Sequence, residues 1–113
     1  MTDETNKTPV LDLLANMTAA SIEASTLDPN ALMLVRIAAL VAIDAPPASY
    51  LLNLGAAGEM GVGAEDVQGV LAAVAPIVGT PRVVSAAGKI VRALGLALDL
   101  AELEAEQEDA SDE

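Results

Sequence analysis

Ser49, Tyr50 and Asn53 form the one polar cluster inside an otherwise apolar stretch that runs from Asp28 to Glu65. Ser49 and Asn53 are four residues apart and Tyr50 and Asn53 three, so on a helix they share a face. A hydroxyl, a phenol and a carboxamide on one face can orient a small polar ligand. Arg36 or Arg82 could add a bidentate contact to a carboxylate. Glu59 and Asp44 are the acids near this unit that could take a proton, which is a weak signal without geometry. Each of these residues also has a purely structural reading. Ser49 and Asn53 can satisfy backbone groups or water, and the arginines can pair with Asp44, Glu59 or acids of a neighbouring copy.

The chain of 113 residues contains no cysteine and no histidine. Thiol peroxidase and disulfide chemistry are therefore excluded, because the thiolate is the nucleophile. The side chain best suited to proton transfer near neutral pH is missing too. Without those ligands, and with acids that do not fall in a calcium-loop pattern, no metal or cofactor is expected.

The elements that must position the cluster are sharply punctuated. Asp28 can accept from the free amides of a first helical turn, and Pro29 fits the first helical position. From Ala31 to Ile43 the only charge is Arg36, so this reads as a central helix buried all round. It is too short to cross a bilayer, which takes about 20 apolar residues. Asp44-Ala45-Pro46-Pro47 ends it, and the next helix starts on the prolines. Gly61-Val62-Gly63 breaks into a further helix, where Glu65 and Asp66 suit the positive end.

Ahead of this unit, Thr8 and Pro9 begin a helix whose apolar face is Val10, Leu13, Leu14 and Met17, packing on the core or on a neighbouring subunit. After it, Val67, Val70, Leu71, Val74 and Val78 mark a buried face. Pro76 should end or kink that helix. Gly79-Thr80-Pro81 then provides a turn, a cap and a first helical position. The last helix carries Val84, Ala87, Gly88, Val91, Leu94, Gly95 and Leu98 on one side and Arg82, Ser85, Lys89, Arg92 and Asp99 on the other. Gly88 and Gly95 suit a tight contact with another helix. The tail from Asp99 to Glu113 holds eight acids and should fray beyond about Glu106, since like charges repel.

Hydrophobic residues make up 53% of the chain but aromatic residues only 1%, and 23 residues are alanine. A core of small side chains is weak, while the apolar supply exceeds what one small domain can hide. A homo-oligomer resolves both problems. The net charge of −12 speaks against nucleic acid and anionic membrane surfaces as partners. No basic segment followed by an apolar run resembles a signal peptide, so the expected location is cytoplasmic.

Several pieces together resemble the carboxymuconolactone decarboxylase and alkylhydroperoxidase D-like family. They are Leu27-Asp28-Pro29, the alanine-rich helix from Arg36 to Ile43, Gly61-Val62-Gly63-Ala64-Glu65-Asp66-Val67 and Gly79-Thr80-Pro81-Arg82. The resemblance spans roughly residues 25 to 95. It implies an all-α subunit, a compact bundle of about five helices that assembles into trimers or hexamers, with a pocket between the central helices. Redox members carry two cysteines and a histidine where Pro46, Ser49 and Asn53 stand here, and a supporting glutamate near Leu34. This chain is thus expected to be a degenerate member. Its organisation would be a flexible N-terminus (1–7), a helical domain (8–98) and an acidic tail (99–113).

Two functional readings follow. The preferred one is a non-catalytic homo-oligomeric scaffold or small-ligand binding protein, whose pocket is drawn from Arg36, Ser49, Tyr50, Asn53, Glu59 and Arg82 and whose ligand is a small organic acid. The alternative is a lyase or decarboxylase acting on a small carboxylated lactone through Tyr50, Asn53, Glu59 and an arginine.

Overall fold

A computed structural model describes residues 7–111, with side-chain surroundings as far as Gly95. The expected flexible segment therefore lies, apart from Lys7, outside the described residues, as do the side chains of the acidic tail. Five α-helices and no strand occur among the described residues: α1 (Pro9–Ala24), α2 (Pro29–Ala42), α3 (Pro47–Glu59), α4 (Ala64–Val78) and α5 (Thr80–Ser111). The all-α five-helix architecture expected from the sequence is what forms.

Local chemistry sets the boundaries. The Asp28 carboxylate accepts from the Ala31 amide at 2.8 Å and caps α2, a contact typically worth about 1 kcal/mol. Helix α2 ends in a Schellman closure, with the Ala45 amide on the Leu40 carbonyl at 3.0 Å and the Asp44 amide on Val41 at 3.2 Å. This closure requires a left-handed residue, and Asp44 takes that conformation at φ 55°. Helix α3 closes the same way, through Val62 on Ala57 at 2.9 Å and Gly61 on Gly58 at 3.2 Å. There Gly61 supplies the left-handed residue at φ 85°, at no steric cost. Asp66 accepts from the Gly63 amide at 3.0 Å to start α4.

Pro76 sits in the last turn of α4 without ending it, and the helix runs to Val78 before Gly79. Thr80 is already inside α5, so the cap position falls on Gly79, one residue before the position expected. Helix α5 continues past Glu106 to Ser111. It crosses the expected boundary at Asp99 without a break.

Helix α2 lies against α3 and α4, while α5 packs on α3 and α4 and touches α2. One core cluster gathers Leu32, Met33, Ile37, Ala57, Val62 and Val70. A second gathers Val41, Ala45, Tyr50, Ala86, Ile90 and Ala93. Alanines at the helix crossings let backbones approach closely but bury little area each.

Two expectations are corrected by this packing, and of the two alternatives for α1 the contact with its own core is not formed. Helix α2 is not buried all round: Leu32, Met33, Ile37 and Val41 face inward, while Val35 and Ile43 are 57% and 70% exposed. Helix α5 buries Ala86, Ile90 and Ala93, and the stripe of Val84, Gly88, Val91 and Gly95 faces out. Helix α1 does not pack on its own core, since none of its residues is buried. The radius of gyration is 16.9 Å, against about 13 Å for a compact domain of this length. The excess fits a helix α1 none of whose residues is buried and a helix α5 of 32 residues.

Candidate functional site

The best-defined polar arrangement lies at the corner between α2 and α3. Having adopted a left-handed backbone there, Asp44 directs its carboxylate toward α5. Lys89 Nζ lies 2.9 Å from Oδ1 and 3.1 Å from the Asp44 carbonyl. The Ser85 hydroxyl donates to the same carboxylate oxygen at 2.7 Å. Arg82 Nη1 donates to the Ala42 carbonyl, at the C-terminal end of α2. Hydrogen bonds from Lys89 and Ser85, then the charges of Lys89 and Arg82, hold the Asp44 carboxyl below its ordinary range. Arg82, Ser85 and Lys89 recur at spacings of three and four on α5, which is the sequence signal for a shared face; Ser85 and Lys89 converge on Asp44, while Arg82 takes the neighbouring Ala42 carbonyl.

Tyr50 lies directly inside this corner and is fully buried. Its hydroxyl has no hydrogen-bond partner among the described residues. Burial, and then the negative charge of Asp44, push the phenol above its ordinary value, so it stays a neutral donor.

The sequence-predicted residues are thus dispersed. Tyr50 and Arg82 converge on the corner. Ser49 and Asn53 are joined to each other, because the Asn53 amide donates to the Ser49 carbonyl at 2.8 Å. Arg36 points the other way, with Nη2 3.1 Å from Ser21 Oγ and 3.5 Å from the Thr18 carbonyl on α1. Glu59 is exposed at the far end of α3, about 13 Å along the axis from Tyr50 at 1.5 Å per residue. No cluster of three potential metal ligands occurs among the described residues.

The larger concavity is elsewhere. A groove of about 430 Å³ runs between the end of α3, the start of α4 and the middle of α5, walled by Leu54, Val62, Val67, Leu71, Ile90 and Leu94. Among the described residues Gln68 supplies its one polar side chain and no charged residue lines it. A smaller hollow of about 140 Å³ between Leu51, Gly55 and Ala93 shares Leu54 and Leu94 with it. None of the six residues singled out from the sequence lines either space. They were sought as polar groups, and this surface is recognisable only once α3, α4 and α5 are brought together.

The stretch from the start of α1 into α5 carries a known family pattern: the model of the carboxymuconolactone decarboxylase family matches residues 8–93. The chain belongs to that family. The carboxymuconolactone decarboxylase match begins at Thr8, which stands at the N-cap position of α1, and ends at Ala93, a buried residue of α5. It therefore covers α1 as well as the packed body. No curated protein and no solved structure matches the chain. Among the described residues no helix is long and apolar enough to cross a membrane.

Proposed function

We propose that this member of the carboxymuconolactone decarboxylase family is a non-catalytic homo-oligomer, a trimer or hexamer, acting as a scaffold or small-ligand binding protein. The observation that carries the reading is the imbalance of its apolar surface. Among the described residues fifteen large apolar side chains are exposed, whereas the twelve buried apolar ones include four alanines and so only eight large residues. Such an excess over several faces is what subunit contacts cover.

The chemistry supports binding over turnover. With no cysteine or histidine in the chain, a base would have to come from a carboxylate. Asp44 is engaged by Lys89 and Ser85, and Glu59 is remote from Tyr50. An organic acid would have to bind near Arg82 at the polar corner, because the large groove offers no charge to meet it. The net charge of −12 disfavours nucleic acid and anionic membranes.

Native mass spectrometry of the purified protein tests the reading. The expected spectrum is a trimer or hexamer, with any retained small molecule seen as added mass. A monomer overturns the assembly. Turnover of any compound in a panel of carboxylated lactones and related acids, lost in Tyr50→Phe or Glu59→Gln, would replace the non-catalytic reading with a lyase.

A further inference from the structure

Helix α1 is a secondary structure without a tertiary one. Its sixteen residues make a rod about 24 Å long, and Val10, Leu13, Leu14 and Met17 on one face are all 46% exposed or more. An isolated helix of this length is marginal in water, because the nucleation cost is barely recovered by propagation. Its link to the body is Arg36, which reaches Ser21 and Thr18 near the C-terminal end. The connection to α2 is ordered as well: the Leu27 amide donates to Ser25 Oγ at 3.1 Å, and Asp28 caps α2. The helix is held in a defined direction with its apolar face uncovered.

The groove between α3, α4 and α5 is the complementary case. It is an elongated apolar hollow that the smaller one extends along α3, and two of its wall residues, Val91 and Leu94, are 70% and 49% exposed. A Cβ built on Gly58 or Gly63 would meet nothing within 4 Å, so backbone is bare on that wall and a helix can come close. The chain's own α1 does not occupy it, because Arg36 ties that helix beside α2.

We propose that this groove receives α1 of a second copy of the chain, so that copies are joined by exchanged N-terminal helices. Resting on the homo-oligomer reading above, the proposal specifies which surfaces meet. Val10, Leu13, Leu14 and Met17 provide the three- and four-residue spacing by which an amphipathic helix anchors in an apolar groove. Charge permits a like partner. Of the 17 acids, eight lie in the 99–113 tail, leaving nine against five basic residues and a net of −4 for the rest of the chain. The two acids of α1, Asp12 and Glu23, lie off its apolar face, and no charged side chain among the described residues lines the groove. The family match, running from the N-cap position of α1 to Ala93, takes in arm and groove as one unit.

The absence of native cysteine makes the test direct. The full-length double variant Leu13→Cys/Val91→Cys is treated with a short bis-maleimide, and its products are read by denaturing gel and peptide mass mapping. The expected result is a shift from the single-chain band to two-chain and larger bands, with the residue-13 peptide joined to the residue-91 peptide of another chain. Leu13→Cys/Ile77→Cys is the control, since Ile77 is exposed on α4 outside the groove, and it should give no such 13-to-77 link. A 13-to-91 link within one chain would overturn the proposal by placing α1 in its own groove. So would an oligomer in native mass spectrometry with no 13-to-91 link, or with a small apolar molecule retained in the groove; the homo-oligomer reading would survive both. A monomer would overturn both.

Discussion

Replacing Tyr50 with phenylalanine should stabilise the protein. The ring fills the centre of the second core cluster and is fully buried, so Tyr50→Phe keeps the packing and deletes only the hydroxyl. That hydroxyl has no hydrogen-bond partner among the described residues, and an unsatisfied buried donor costs about 1–3 kcal/mol. Unfolding entropy of about 2.1 cal/mol/K per residue, over the 113 residues of the chain, converts each kcal/mol into about 4 °C of Tm. The expected rise is therefore about 4–13 °C by calorimetry, with both proteins at equal concentration because assembly makes Tm concentration-dependent. A fall in Tm would refute the reasoning, since it would mean that the hydroxyl is satisfied in the folded protein by water, a ligand or another copy. The same residue gives an alkaline signature. Because its folded value is raised, stability is full below the ordinary phenol value near 10 and declines as pH rises above it, where the unfolded chain ionises first. In Tyr50→Phe that decline should disappear.

Four other outcomes follow from the geometry. Asp44→Asn keeps a residue that tolerates the left-handed backbone but loses the pair with Lys89. Because the Asp44 carboxyl is held below its ordinary value, its contribution is present above about pH 4 and lost as pH falls through the folded value; denaturation across pH 2–7 should show that acid-dependent step in the parent and not in the variant. Asp28→Ala removes the α2 cap and should cost about 1 kcal/mol in urea unfolding. Gly61→Ala puts a Cβ on a residue at φ 85° and should cost about 1–2 kcal/mol, although nothing crowds the site. Met17→Glu should lower the assembly state in native mass spectrometry while leaving the circular dichroism of the body unchanged, because Met17 is 60% exposed in a single chain.

The helix ends were legible because their causes are local. Asp28-Pro29, Asp44 through Pro47, Gly61 and Gly79 each state their role within a few residues, and each lies where a helix starts or stops. The choice of buried face was less legible. Helix α5 has two apolar strips, one through Ala86, Ile90 and Ala93 and one through Val84 and Val91, and periodicity alone cannot say which meets α3. The strip through Ala86, Ile90 and Ala93 is the one that went inward. Helix α2 misled for a related reason: with apolar residues on every side, only the positions of α3 and α4 decide which of them lose contact with water. Of the polar residues picked out from the sequence, Arg82 reaches the Ala42 carbonyl, a contact between residues 40 apart that no spacing rule encodes.

The fastening at the α2–α3 corner has a mechanical consequence. Lys89 and Arg82 grip carbonyl oxygens of the corner itself, and Ser85 and Lys89 grip its one carboxylate, so the corner and the first three turns of α5 are obliged to move as a single lever. The only aromatic ring in the chain sits at the fulcrum. Any force applied to the outer side of α5 would reach that ring as a change in its surroundings, and intrinsic tyrosine emission becomes a built-in gauge of what leans on the helix.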